Sequence, residues 1–374
     1  MSNSIPFIDL QAQRRRLGEK LNSAIMAAVE GGAWILGPQV AELEERLAEF
    51  AGVKHCIACA NGTDALLIVL RAWNIGPGDA VFVPAFTFAA SAEVVALVGA
   101  SPVFVDVLED TYNLDPASLE AAIAMVRREG KLTPRAVMPV DLFGQPADYR
   151  KIAPIVAREG LKMLCDTAQG FGGMLDGKRT GGIGDAAATS FFPAKPLGCY
   201  GDGGAAFTND DGLAEILRSI RVHGQGSDKY ENVRVGVNSR LDTIQAAILL
   251  EKLAIFPDEL DKRDAIARRY SAALGRSNRI RVPLVIEGAL SSWAQYTLQV
   301  PDRDKLQADL KAEGIPTAIY YPIPLTRQEA YGGHPAAPTP VCDKVCRSVI
   351  SLPMHPYLDV ETQDKIISAV LRSV

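Results

Sequence analysis

The chain has 374 residues, of which 48% are hydrophobic and 22% charged, which suits a soluble protein with one large core and a smaller companion. Its 44 acidic and 39 basic residues leave a net charge of -5, so nothing attracts it generally to nucleic acid or to an anionic membrane. No basic stretch followed by an apolar run opens the chain, and its most apolar segment, Val94 to Val107, is broken by Gly99, Ser101, Pro102 and Asp106; we expect a cytoplasmic protein without a membrane span.

After Ile5-Pro6-Phe7-Ile8-Asp9-Leu10, a helical stretch is predicted to about Val29. A second helix begins with Pro38 at its first position, sets Val40, Leu43, Leu47 and Phe50 on one face, and is ended by Gly52. From His55 onward short apolar runs alternate with helical patterns. Strands are predicted at 55–60, 80–84, 102–106, 135–140, 162–165, 186–192 and 203–208, with helices near 63–73, 87–98, 115–129, 148–158 and 210–221. Runs that are apolar on both faces predict a mostly parallel sheet covered by helices, an α/β fold whose ligands sit at the strand carboxyl ends. From Ser239 two helices, 239–254 and 257–274, lead away from the sheet. The remainder has α+β texture: strand-like 293–300, a helix near 303–313, strand-like 315–321, and a final helix opened by Asp359. We place a large domain at 1–250 and a smaller one at 251–374.

Six scattered cysteines suit reduced thiols rather than a disulfide framework. Cys56 and Cys59 with Cys342 and Cys346 have the number of thiolates a zinc site needs, but the second spacing is loose and the first pair reads as buried strand, so no metal is expected.

Chemistry concentrates at three strand ends. Lys195 lies in Ser190-Phe191-Phe192-Pro193-Ala194-Lys195-Pro196-Leu197-Gly198, a lone cation among prolines and phenylalanines. Desolvation there disfavours the ammonium and leaves an amine able to attack a carbonyl. Ala60-Asn61-Gly62-Thr63-Asp64 turns a strand into a helix, where exposed N–H groups, the helix dipole and the Thr63 hydroxyl suit a phosphate; the same turn serves equally as an N-cap. Asp166, in Leu164-Cys165-Asp166-Thr167-Ala168-Gln169, ends another strand and either caps the next turn or holds a positive group; beside a pyridine nitrogen it would keep that nitrogen protonated. A nucleotide-binding loop is not supported: GGMLDGK at 172–178 is followed by Arg179 rather than Ser or Thr, and Asp176-Gly177 reads as a hairpin turn.

Taken together, Pro84-Ala85-Phe86-Thr87-Phe88, Asp166-Thr167-Ala168-Gln169, Ser190 to Lys195, Gly201-Asp202-Gly203-Gly204 and Gly236-Val237-Asn238-Ser239-Arg240-Leu241-Asp242 resemble the nucleotide-sugar aminotransferases of the DegT/DnrJ/EryC1/StrS family. The resemblance implies the fold type I architecture of pyridoxal 5'-phosphate enzymes, aspartate aminotransferase-like, assembled as a homodimer with shared sites. It implies that Lys195 is tethered to the cofactor, that Asp166 pairs with the ring nitrogen, that Gln169 lies near the phenolic oxygen and that Phe86 stacks on the ring. Gly62, Thr63 and Ser190 would hold the phosphate, with Asn238 reaching in from the partner subunit. By itself Phe86 also reads as core, and Asn238 as a helix cap.

The implied reaction takes an amino group from L-glutamate, through pyridoxamine 5'-phosphate, to a keto-sugar on a nucleotide. The runs 192–202 and 315–322 look most like members that aminate C3 of UDP-2-acetamido-2-deoxy-3-oxo-glucuronate for bacterial surface polysaccharides such as O-antigen. Substrate contacts are expected from Arg240, suited to a carboxylate unless held by Asp242, from Tyr321 and from His223, whereas Tyr320 replaces a histidine common in relatives. Two alternatives stay open: a C4 aminotransferase of a 4-keto-6-deoxy sugar, and a non-catalytic cofactor-binding regulator that senses a sugar nucleotide.

Overall fold

The computed structural model describes residues 5–228 and 230–374. The first helical stretch is two helices, α1 (Leu10–Leu17) and α2 (Glu19–Glu30), because Gly18 takes φ 55° between them. Helix α3 (Pro38–Ala51) starts at its proline and stops at Gly52, φ 71°, burying Val40, Leu43 and Leu47.

All seven predicted sheet strands are present: β1 (His55–Cys59), β2 (Asp79–Pro84), β3 (Ser101–Val105), β4 (Thr133–Val137), β5 (Lys162–Asp166), β6 (Ala186–Ser190) and β7 (Gly204–Thr208). Their order is β1-β7-β6-β5-β4-β2-β3, parallel throughout except for β7. The exception follows from connectivity. Between β6 and β7 there is only a loop, so the chain returns antiparallel, whereas the connections from β1 through β5 carry helices that allow a parallel crossover. Those helices are α4 (Gly62–Ala72), α5 (Ala90–Leu97), α6 (Pro116–Glu129) and α7 (Tyr149–Glu159); β5 and β6 are joined through a short hairpin and a tight helical turn, and α8 (Asp211–Ile220) follows β7.

Alternate strand residues feed two cores. Phe82, Val103 and Val105 pack with α3, α6 and α7, while Val81, Val83 and Phe104 pack with α4, α5 and α8. Cys56 and Cys59 fall in different cores and so face opposite sides of the sheet. Asp176 and Gly177, at φ 49° and 78°, make the predicted turn between the short paired segments Met174–Leu175 and Lys178–Arg179.

Two expectations are corrected downstream. The helices foreseen at 239–254 and 257–274 are one helix, α9 (Thr243–Leu274), which continues through Pro257. The proline removes one backbone donor, but Leu249 and Phe256 before it and Leu260 after it all pack into the core, which holds the axis on course. The division expected at residue 250 lies within this helix. The chain continues through β8 (Tyr296–Gln299), α10 (Arg303–Ala312), α11 (Pro340–Ser348), β9 (Val349–Leu352) and α12 (Val360–Ser373). The partner of β8 is β9 and not the segment 315–321, which makes only a single bridge between Ala318 and Ser351. Val349-Ile350-Ser351-Leu352 is fully buried, while 315–321 bends to carry Tyr320 and Tyr321 toward the large sheet. Among the described residues no helix is long and apolar enough to cross a membrane.

Two stability predictions follow from buried groups. Phe256 has no exposure and sits 5.5 Å from the Phe50 ring and 6.2 Å from that of Phe171. Phe256→Ala should cost roughly 3–5 kcal/mol in urea unfolding, whereas a loss within experimental error would show that this junction is not part of the core. Asp141 is also without exposure; its Oδ1 accepts from Tyr149 Oη at 2.7 Å and from Ala147 N at 2.9 Å, but Oδ2 has no partner. Burial, helped by the charge of Asp166, pushes it from 3.8 up to about 7. A carboxyl with a raised folded pKa binds more protons folded than unfolded, so its contribution to stability falls as pH rises from about 4 to about 7. Asp141→Asn should flatten that slope in urea midpoints taken across this range; an unchanged slope would contradict the assignment.

Candidate active site

At the carboxyl edge of the sheet a cleft of about 720 Å³ opens, lined by residues that follow β1, β2, β4, β5 and β6. Asn61 caps α4 by accepting from Asp64 N at 2.7 Å, which leaves Gly62 and Thr63 in the first turn facing the cleft. Gly62 lies against Ser190: a Cβ at 62 would stand 2.6 Å from Ser190 Cβ. Only glycine lets these two strand ends close, and their closure puts the Thr63 and Ser190 side chains and the helix N-terminus around one space.

Asp166 ends β5 and is 5% exposed. Its Oδ2 accepts from Ser91 Oγ at 2.9 Å, its Oδ1 from Ala168 N at 3.1 Å, and Ser91 Oγ lies 3.3 Å from Thr87 Oγ1. Burial raises its pKa, against the lowering effects of these bonds and of the Lys195 charge. Lys195 is partly buried beyond β6 in the same cleft; desolvation lowers its pKa, against the opposing pull of Asp166. Gln169 is held at both ends, its Oε1 accepting from Phe143 N at 2.7 Å and its Nε2 donating to Tyr321 Oη at 3.1 Å. Burial pushes the Tyr321 hydroxyl pKa up, so it remains a protonated donor.

Of the residues singled out in the sequence, Gly62, Thr63, Asp166, Gln169, Ser190, Lys195 and Tyr321 all line this cleft. Phe86 does not. It is 1% exposed and packs against Tyr112, Phe143 and the edge of Tyr321, behind the wall. Phe88, two residues on and 55% exposed, is the aromatic of this motif that lines the cleft. Nothing in the motif itself separated the two: α5 begins only at Ala90, not near 87 as expected, so 85–89 is irregular and its second aromatic turns outward. Ser91, which orients Asp166, carried no comparable signal. It is an ordinary serine in an alanine-rich helix.

Asn238 and Arg240 lie outside this cleft, in an adjoining polar hollow of about 440 Å³ that shares Asp202 with it. Among the described residues Arg240 makes no ion pair, and its Nε is buried without a partner, so Asp242 does not hold it. His223 lies in neither hollow. It is exposed, at φ 57°, with its N–H bonded to Val237 O at 2.9 Å, at the base of the loop that ends at Asn238. Among the described residues that line the main cleft, Lys195 is the sole cation, against Asp64, Glu93, Asp166 and Asp202. The donor set suits a group with an aldehyde, an aromatic ring bearing a basic nitrogen, and a phosphate. A desolvated amine, a buried acid and a glycine-floored helix terminus supply one partner for each.

Comparison with known proteins agrees with this chemistry. The chain is 51% identical to a UDP-2-acetamido-2-deoxy-3-oxo-D-glucuronate aminotransferase of Pseudomonas aeruginosa, over 98% of this chain and 99% of that protein. A DegT DnrJ EryC1 StrS aminotransferase from Brucella abortus superposes with a TM-score of 0.97 at 56% identity, covering 98% of this chain and 99% of the other. NtdA from Bacillus subtilis, solved with bound cofactor PMP, superposes with a TM-score of 0.89 at 28% identity, covering 100% of this chain and 86% of that one. The model of one family matches residues 15–371, and on that extent of agreement the chain belongs to the DegT/DnrJ/EryC1/StrS aminotransferase family.

Proposed function

We propose that this protein is a pyridoxal 5'-phosphate-dependent aminotransferase that moves an amino group from L-glutamate to C3 of a UDP-linked 3-keto sugar, UDP-2-acetamido-2-deoxy-3-oxo-glucuronate. The observation that carries the chemistry is the placement of a desolvated Lys195 and a buried Asp166 in one cleft beside the Gly62–Ser190 cradle. The substrate rests on the 51% identity with the Pseudomonas aeruginosa enzyme.

Gly62, Thr63 and Ser190 would hold the phosphate, Phe88 would cover the ring, and Gln169 with Tyr321 would face its oxygen side. When bound, the cofactor supplies a carbonyl for the amine and a protonated ring that accepts the electron pair left when a proton leaves carbon. Asp166, oriented by Ser91 and Ala168 N, holds a proton at the ring nitrogen. The Lys195 amine, favoured in its neutral form by desolvation, would take the proton from the donor's α-carbon and pass it to the cofactor's C4′ carbon, and in the second half-reaction would move a proton back from C4′ to the carbon that becomes C3–H of the product sugar. The donor leaves as 2-oxoglutarate before the sugar enters, giving ping-pong kinetics.

The cleft's shortage of cations supports a homodimer. A nucleoside diphosphate and a uronate bring negative charge, and the free Arg240, with Asn238, shares its hollow with exposed Ile35, next to exposed Trp34, while exposed Phe192 lines the cleft. A second copy seated on that surface would cover the apolar groups and offer Asn238, Arg240 and His223 to its neighbour's cleft. The product fits a bacterial surface polysaccharide made from cytoplasmic nucleotide sugars.

Four outcomes check this reading. Lys195→Ala should abolish conversion of glutamate to 2-oxoglutarate, a loss of at least about a thousandfold, since it removes both the tether and the proton carrier. Arg240→Ala, assayed by product mass with glutamate, should lose turnover on the 3-oxo uronate by about tenfold or more, as expected for a charge-assisted contact. Better turnover of 4-keto-6-deoxy sugars by the native protein would instead favour C4 amination. A single-turnover mixture that binds the cofactor yet yields no 2-oxoglutarate would identify a regulator.

A further inference from the structure

The segment that carries Lys195 is a closed loop. Phe191 N donates to Gly203 O at 2.7 Å, Lys195 N to Phe192 O at 2.8 Å, and Cys199 N to Phe191 O at 2.8 Å. Cys199 Sγ adds contacts to Phe191 O at 3.1 Å and Gly201 O at 3.2 Å. Gly198 is wedged inside, since a Cβ there would stand 2.6 Å from the carbonyl oxygens of both Phe192 and Pro193. With the loop folded this tightly, the Gly198 carbonyl is turned away from it, and among the described residues no backbone N–H reaches that oxygen. A buried carbonyl left in that state is costly.

Helix α9 supplies the missing partner with an unusual side chain. Lys252 is 1% exposed, and its Nζ donates to Gly198 O at 2.6 Å while lying 4.2 Å from the centre of the Tyr200 ring. Seven residues earlier on the same face of the helix, Gln245 Oε1 accepts from Tyr200 N at 2.8 Å. Burying an ammonium is expensive, and among the described residues no carboxylate within ion-pair distance offsets it; desolvation lowers its pKa from 10.5 to about 8. A leucine or methionine would fill the space without that cost. What a methyl group lacks is a donor and a charge for the carbonyl and the ring.

We propose that Lys252 and Gln245 are positioning residues for the aminotransferase reaction, clamping the loop that presents Lys195 so that its amine stays aimed into the cleft. The inference rests on the reading of Lys195 as the cofactor's lysine. Neither residue lines the main cleft, and of the two only Gln245 lines the adjoining hollow of Asn238 and Arg240, so the clamp by Lys252 acts on the reacting amine through the loop backbone.

The test compares Lys252→Met, which keeps the volume but not the donor or charge, with Lys252→Arg, which keeps both, and with Gln245→Leu, which cuts the second tie. Hydrogen exchange is followed in the cofactor-free proteins for the peptide spanning 191–201, and kcat and KM are then measured after loading with pyridoxal 5'-phosphate. Faster exchange confined to that peptide in Lys252→Met, a fall in kcat of about ten- to a hundredfold with KM for glutamate within about threefold, and recovery in Lys252→Arg would support the clamp. A Lys252→Met protein of lower Tm but native loop exchange and native kcat would reduce Lys252 to a structural residue and overturn it. Should Lys252→Met not fold, Gln245→Leu carries the same two readouts, and native values there overturn the proposal. If native protein loaded with the cofactor shows no visible absorbance band that Lys195→Ala lacks, the reading of Lys195 itself fails, a result distinct from unaltered variants.

Discussion

One electrostatic relation organises the cleft: a carboxylate and an amine, each disfavoured as an ion by burial, face the same space and each favour the other's charge. Asp166 is fixed by Ser91 Oγ and Ala168 N at the end of β5, and Lys195 is carried beyond the neighbouring strand β6. A pair balanced in this way is easily shifted. A cation placed against Asp166 stabilises its ionised form, and a carbonyl offered to Lys195 meets an amine already inclined to be neutral. The sheet exists, for this chemistry, to hold two such groups together with a helix terminus that has no side chain in the way at Gly62.

Much of this was legible in the chain. The seven sheet strands were visible because each is a short run, apolar on both faces, bounded by turn residues, and the site motifs stood at the ends of those strands, where a parallel sheet gathers its loops. The misreadings have local causes. Pro257 looked like a helix end, yet Leu249, Phe256 and Leu260 hold α9 together through tertiary packing that no local pattern reveals. The strand expected at 315–321 lost its place to Val349–Leu352, a buried run obscured because it follows α11 without a turn. Phe86 and Phe88 are alike in sequence, and only the irregular path before α5 decides that the second faces the cleft.

Charge also marks what one chain does not provide. The cleft holds more carboxylates than cations, and the free guanidinium nearby, Arg240, points its function elsewhere, in a hollow beside exposed apolar residues. On the proposed reading these are two halves of one requirement, since an anionic sugar nucleotide needs positive charge that a second copy would bring. The buried Lys252 belongs to the same proposed reading: its donor closes the Gly198 carbonyl, so the long helix α9 would also steady the loop that presents Lys195.

The central claim is that the Lys195 amine is the covalent attachment point for pyridoxal 5'-phosphate. Reduction of the reconstituted native protein with borohydride, followed by peptide mass mapping, tests it directly. The account predicts a phosphopyridoxyl group on residue 195; an unmodified residue 195, or modification only at another lysine, would contradict it.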